Sequence, residues 1–217
     1  MMMFIMNQLD KHHGQNVVHV IRSAGGTTVK VSREQAAKNR QHILDVAARL
    51  FRERGFGGVG VADLMHQAGF THGGFYGHFS SKDDLMAQAC QHACAEKMSL
   101  WGEERDIDAG QPLASVASHY LTPRHRDDPG TGCPLAALAV DVSRQGSPTQ
   151  QAFTDGLQGL VELLMAKLPG KDQAAKRKEA LSTWSTLVGA MVLSRAVNDP
   201  RLSDEILNAA AESRRDL

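Results

Sequence analysis

From Ser32 onwards the apolar residues recur with the period of a helix. Ile43, Val46, Ala47, Leu50 and Phe51 fall at i, i+3, i+4, i+7 and i+8, the stripe of a helix with one buried face. Ser32-Arg33-Glu34-Gln35 ahead of them fits a capping box, with Ser32 as N-cap and Gln35 reaching back. Arg49, Arg52 and Arg54 near the far end favour the helix dipole, and Gly55 is placed to stop the helix. A Gly57-Gly58 loop follows. A short second helix is predicted from Val61 to Gln67, burying Val61, Leu64, Met65 and Ala68. Gly69 permits a tight turn, and Thr71 can cap a third short helix ending near His78. Ser80-Ser81-Lys82-Asp83-Asp84 then opens a fourth, longer helix with acids in its first turn.

Beyond residue 105 the pattern stays helical, broken at Gly110-Gln111-Pro112, from Pro123 to Pro134, at Gly146-Ser147-Pro148, at Pro169-Gly170 and at Pro200. The segments between are 113–121, 135–144, 149–168, 172–198 and 203–215, and none alternates like a half-buried strand. Residues 1–31 show no sustained period and read as a mobile arm. The predicted fold class is all-α: a three-helix head followed by a larger helical bundle.

Composition narrows the function. A chain of 217 residues with 42% hydrophobic residues can build a real core, and no apolar run reaches the length of a membrane span. Three cysteines make no disulfide framework. The apolar opening from Met1 to Met6 lacks the basic leader of a signal peptide, so a soluble cytoplasmic protein with no membrane partner is expected. The net charge of zero divides unevenly: +3 over residues 1–85, −3 over 86–217 and +5 over 22–82. A basic module on an acidic remainder fits an anionic partner, or ordinary scatter. No acid/base pair, nucleophile elbow or phosphate loop appears, so neither an enzyme, a cofactor nor a metal is expected.

Two short helices joined by Ala68-Gly69-Phe70 and supported by a longer first helix describe a helix-turn-helix. The residues themselves go further. Ile43 to Phe51, then Gly55-Phe56, then Ala68-Gly69-Phe70-Thr71-His72-Gly73-Gly74-Phe75-Tyr76-Gly77-His78-Phe79-Ser80-Ser81-Lys82-Asp83-Asp84-Leu85 closely resemble the TetR family of bacterial transcriptional regulators. The resemblance covers roughly 33–88 and implies a homodimer. Its DNA-binding head would span 32–80, and its ligand-binding, dimerising domain 81–217. The partners implied are a double-stranded DNA operator, a second copy of the chain and a small effector whose binding releases DNA; most members repress.

Carried onto matching positions, the resemblance has Thr71, Tyr76 and Lys82 holding phosphate oxygens, contacts that set register rather than sequence. His72, Gly73 and Gly74 occupy the groove-facing start of the recognition helix, with His78 a further contact or a packing residue. Phe75, Phe79 and Leu85 match buried positions. The chain departs from the family at Val59-Gly60, where Thr or Ser is common before the second helix, at Met65, where Ala is common, and at Gly73, Gly74 and Gly77. Three glycines in so short a helix cost about 1 kcal/mol each against alanine and offer nothing to base edges. Base reading would then fall on His72 and His78, with close backbone approach at the glycines. Arg22, Lys30 and Arg33 form either a basic DNA-contacting arm or a solvated tail.

In the remainder, Trp101, His119, Tyr120, Phe153, Met165, Trp184 and Met191 are candidate pocket residues, though ordinary cores look the same. They point to an apolar or aromatic effector. Trp184, Leu187, Met191, Ile206 and Leu207 lie on the two last helices, which by resemblance form the dimer interface. Cys90 and Cys94 share a helix face, with His92 near and Cys133 at the next break. Buried packing and a redox switch both remain open for them. A further alternative is a small-molecule binder whose weakened head no longer reads DNA.

Overall fold

A computed structural model describes the backbone of residues 20–22 and 28–30, and residues 32–103 and 110–214. Most of the expected arm at 1–31 lies outside the described residues. The arm does contain one element that the helical pattern missed. Strands β1 (Val20–Arg22) and β2 (Thr28–Lys30) pair antiparallel, Ile21 opposite Val29. β-Branched residues on either side of Gly25-Gly26 are the signal for it. The side chains of Arg22 and Lys30 lie outside the described residues; Arg33 is exposed at the start of the first helix.

Helix α1 (Arg33–Arg54) forms as its pattern requires. The Ser32 hydroxyl accepts from the Gln35 N–H at 3.1 Å, but the Gln35 side chain donates onward to Asn39, so only half of the capping box is made. Gly55, at φ +70°, ends the helix with its N–H on the Phe51 carbonyl. Helix α2 (Val61–Gln67) starts at Gly60 with no side-chain cap, as the missing hydroxyl dictates. Gly69, at φ +78°, turns the chain so that the Phe70 N–H reaches the Met65 carbonyl at 2.8 Å.

The third element is a 3₁₀ segment (His72–Gly77) rather than an α-helix, and Thr71 gives it no side-chain cap. Three glycines in six residues explain the difference, because they supply little of the side-chain packing and propensity that favour the wider helix. Helix α3 (Lys82–Glu103) then starts on a reciprocal cap: the Asp84 N–H donates to Ser81 Oγ, and Asp84 Oδ2 accepts from the Ser80 N–H. That backbone bond holds the Asp84 carboxyl below the usual range.

The body consists of α4 (Pro112–Tyr120), α5 (Pro123–Asp127), α6 (Pro134–Val142), α7 (Ser147–Lys167), α8 (Gln173–Ala196) and α9 (Pro200–Glu212). The stretch expected to be a break after Pro123 holds α5. Its start signal is the Thr122 hydroxyl accepting from the His125 N–H, with Pro123 at the first helical position. Helices α3 and α7 pack closely at Gly156 and Gly159, which face Cys94 and Met98 with no room for a methyl group as the side chains stand.

Apolar packing divides into two cores. One gathers α1, α2, the 3₁₀ segment and the first half of α3. The other gathers α4, α7, α8 and α9. Helix α6 serves both, giving Leu138 and Val142 to the first and Leu135 and Ala136 to the second. The head is therefore not packed as a separate ball; the body completes its core.

Candidate nucleic-acid interface and effector core

In the recognition segment, buried and exposed rings alternate. Phe75 is fully buried, with Phe79 5.7 Å away behind it. Tyr76 stands edge-on to Phe75 at 5.2 Å and 84°, yet is 69% exposed. His72 is exposed and lies 6.5 Å from the Tyr76 ring. The segment thus offers one phenol and one imidazole outward from a packed aromatic base. Thr71 and Gly73 are exposed too, while Gly74 is half-buried. His78 is half-buried between Phe70 and Phe79, at 6.2 and 6.4 Å, a packing position as much as a surface one.

Met65 is fully buried, and the space for it is opposite Gly74, where a Cβ would meet its methyl at an ordinary 3.8 Å. The large residue in α2 and the absent side chain in the recognition segment thus fit one another. Val59, which stands in place of a family hydroxyl, is a core residue. Lys82 is half-buried, and its Nζ donates to the Phe56 carbonyl at 2.7 Å. In this arrangement Lys82 is engaged inside the protein rather than held out to a phosphate.

Beyond its contacts with α3, the head is tied to the body by two polar contacts that sequence reasoning missed. The Phe56 N–H donates to Asp141 Oδ2 at 2.9 Å, across 85 positions of sequence. Arg52 Nε donates to the Gly130 carbonyl at 2.7 Å, across 78 positions. Arg52 is buried, with Glu96 3.7 Å from Nη1, which makes no hydrogen bond. Burial pulls its pKa down, against the pull of Glu96. No local pattern marks such pairs, since each partner looks ordinary in its own stretch of sequence.

In the body, Trp101, Tyr120 and Trp184 form one aromatic cluster. Trp184 lies 5.7 Å from each of the other two, edge-on, and its Nε1–H donates to the Leu160 carbonyl. Beside the cluster is a crevice of about 10 Å³, lined by Trp101, Val116, Leu160, Leu163, Leu164, Lys167 and Trp184, with room for one water molecule. The candidate pocket is therefore filled by its own rings in this state. Phe153 and Met165 are half-buried around it and Met191 is buried. His119 is a correction: it is exposed, with its ring on the Ser115 carbonyl, because α4 turns Val116 and Tyr120 inward instead.

Tyr120 also stands edge-on to His125 at 4.5 Å. The His125 ring links α4 to α6: its Nδ1 bonds the Tyr120 carbonyl at 2.7 Å, and its Nε2 accepts from the Cys133 N–H at 2.9 Å. That pairing requires the neutral imidazole, and burial pulls its pKa down to about 4. Cys90, Cys94 and Cys133 are all free and buried. Burial pushes the Cys133 thiol up and the Cys90 contact does the same to Cys94, while the Cys94 contact lowers Cys90; all three are buried, away from the accessible thiolate that redox sensing needs. The redox reading is not favoured.

The expected dimer residues also need correction. Trp184, Leu187, Met191 and Leu207 are inside the subunit, and Ile206 is half-buried. Helices α8 and α9 turn their large residues against α4 and α7. The apolar side chains they leave outside are Leu181, Leu193 and Leu202. Among the described residues no helix is long and apolar enough to cross a membrane, and no group of three side chains could hold a metal ion.

Comparison with known proteins places this geometry. The family model for bacterial regulatory proteins of the tetR family matches residues 43–89. The transcriptional regulator AcrR of Shigella flexneri is 40% identical over 83 residues, 38% of this chain and 39% of the relative. The transcriptional repressor DhaR of a Mycobacterium strain is 28% identical over 104 residues, 48% of this chain and 52% of the relative. The chain thus spans about half or less of these curated relatives. The crystal structure of reduced NemR from E. coli superimposes with a TM-score of 0.68 over 83% of this chain and 96% of that one, at 21% identity, which extends the likeness of fold through the body. The head, over residues 43–89, is thus similar to the DNA-binding regulators of the tetR family, and the chain as a whole shares the fold of such a regulator.

Proposed function

We propose that the chain is a dimeric, cytoplasmic transcriptional repressor, with a DNA-binding head at 32–80 and an effector-binding, dimerising body at 81–217. One observation carries the reading: Tyr76 and His72 stand exposed on the buried base of Phe75 and Phe79. A phenol with no structural task inside the molecule is free to hold a phosphate, and an imidazole at the first turn can reach a base edge. Thr71, Gly73 and Gly74 bring the backbone close to the duplex, and His78 steadies the segment from behind. Lys82 would exchange the Phe56 carbonyl for a phosphate when DNA arrives.

A dimer places two such heads on a roughly palindromic site. The outward apolar face of α8 and α9, with Leu181, Leu193 and Leu202, is the surface proposed to make it. The effector would be a small apolar or aromatic molecule that displaces rings of the Trp101–Tyr120–Trp184 cluster, since a filled core must open to admit it. Selection of bound sites from a random DNA pool tests the reading, with Tyr76→Ala as control. A palindromic site enriched by the wild type and lost in the variant is expected. No enrichment overturns it and leaves the body as a small-molecule binder.

A further inference from the structure

We infer that Asp141 is a positioning residue for DNA binding: from α6 of the body it fixes the Gly55–Phe56 turn of the head, and with it the attitude of the recognition segment. The inference rests on the DNA-binding reading above and adds the route by which the body governs the head.

Phe56 is held at both ends of its backbone by charged groups from outside α1 and α2. Its N–H donates to Asp141 Oδ2 at 2.9 Å, and its carbonyl accepts from Lys82 Nζ at 2.7 Å. Bonds with an ionised partner are roughly twice as strong as neutral ones. The turn is shaped for this grip. Gly55 takes φ +70°, and a Cβ there would strike the Asp141 carboxylate, so glycine is required both by conformation and by close approach. The Phe56 ring is buried and lies edge-on to Phe51 at 5.1 Å. A pull on the Phe56 backbone is therefore a pull on the last turn of α1.

Helix α6 is suited to deliver that pull. Leu138 and Val142, on either side of Asp141, belong to the head's core, while Leu135 and Ala136 belong to the core of Tyr120 and Trp184. Opening the aromatic cluster acts on Leu135, and the same rigid helix carries Asp141. The loop before α6 adds a second tether, the Gly130 carbonyl on Arg52 Nε. A shift of α6 by about 1 Å would stretch the Asp141 bond beyond hydrogen-bonding range. This link runs from α6 directly to the end of α1 and does not need α3 to move.

The test compares wild type, D141A and D141N on the selected operator by fluorescence anisotropy at fixed salt, alongside amide exchange by NMR. D141A is expected to bind the operator at least about ten-fold more weakly, a change of about 1.4 kcal/mol. Its Phe56 amide should exchange at least ten-fold faster, while amides in the middle of α1 keep their protection. D141N retains a carbonyl acceptor and should recover most of both. Should D141A lose its fold, judged by its melting curve, Asp141→Ser replaces it. Wild-type affinity in a folded D141A, or an unchanged Phe56 exchange rate, overturns the inference. If the wild type itself selects no operator, the DNA-binding reading fails separately, and the exchange rates still decide whether Asp141 holds the turn.

Discussion

Head and body both rest on packed aromatic rings and use them in opposite ways. In the head, Phe75 and Phe79 form a sealed base, and the neighbouring Tyr76 is pushed out into solvent. In the body, Trp101, Tyr120 and Trp184 close on one another and leave a crevice no bigger than a water molecule. A surface that grips a duplex consists of what projects from a finished core. A site that admits an effector consists of what a core can give up. The first should separate stability from function residue by residue; the second should not.

Adjacent residues give the sharpest test of that separation. Phe75→Ala empties a fully buried site and should cost about 3–5 kcal/mol of stability in urea unfolding. Tyr76→Ala, one position on, removes a ring that is 69% exposed and should change stability by about 0.5 kcal/mol or less while abolishing operator binding. Equal losses of stability in the two variants would show that Tyr76 belongs to the core, and the contrast would collapse.

In the body, the next largest effect is a dependence on pH. His125 is held neutral between Tyr120 and Cys133, with its pKa pulled from the ordinary 6.5 to about 4, mainly by burial. The unfolded chain therefore takes up the proton first. The stabilisation is fully present above pH 6.5 and is lost as the pH falls from 6.5 towards 4, to a total of about 3 kcal/mol. Urea unfolding at pH 7.5, 5.5 and 4.5 should show the decline, and His125→Gln should flatten it. A wild-type profile as flat as the variant's would mean that the imidazole is not buried as described.

Which parts of this were legible in the sequence follows from the same contrast. The head was readable because its determinants are local: the apolar stripe of α1, the turn at Gly69 and the run from Tyr76 to Lys82 lie within a few dozen residues. Three glycines gave warning of a weak helix without saying that it would be 3₁₀. Trp101, Tyr120 and Trp184 were found as aromatic residues of the bundle, but whether they line a pocket or fill a core depends on packing that composition does not encode. Helix α8 made the point again, since Trp184, Leu187 and Met191 suit an interface as well as an interior and took the interior. Asp141 and Arg52 were invisible because each meets a backbone group some eighty positions away.

A smaller effect tests how finished the body's core is. The Tyr120 hydroxyl is buried without a hydrogen-bond partner, and burial drives its pKa well above the usual value. Removing it with Tyr120→Phe should leave the melting temperature unchanged or raise stability by up to about 1 kcal/mol, since an unmet buried polar group is a cost. Marked destabilisation would reveal a partner for that hydroxyl, with the Cys133 thiol beside it the candidate. The same variant should weaken any effector whose polar group uses the hydroxyl.

The smallest change lies in the recognition segment and asks whether its glycines serve DNA or merely weaken the fold. A Cβ at Gly74 would meet Met65 and Thr71 at 3.8 Å, ordinary contact distances, so alanine fits the free protein. Gly74→Ala should then stabilise the head by up to about 1 kcal/mol through propensity alone. If the glycines admit close approach of the backbone to the duplex, the same methyl group should weaken operator binding several-fold. Stability and affinity would move in opposite directions at one residue, which is the separation expected of a surface built on a finished core. Melting curves and anisotropy titrations on the variant read the two together. Unchanged or tighter DNA binding would remove the backbone-approach role and leave His72 and Tyr76 to carry recognition without it.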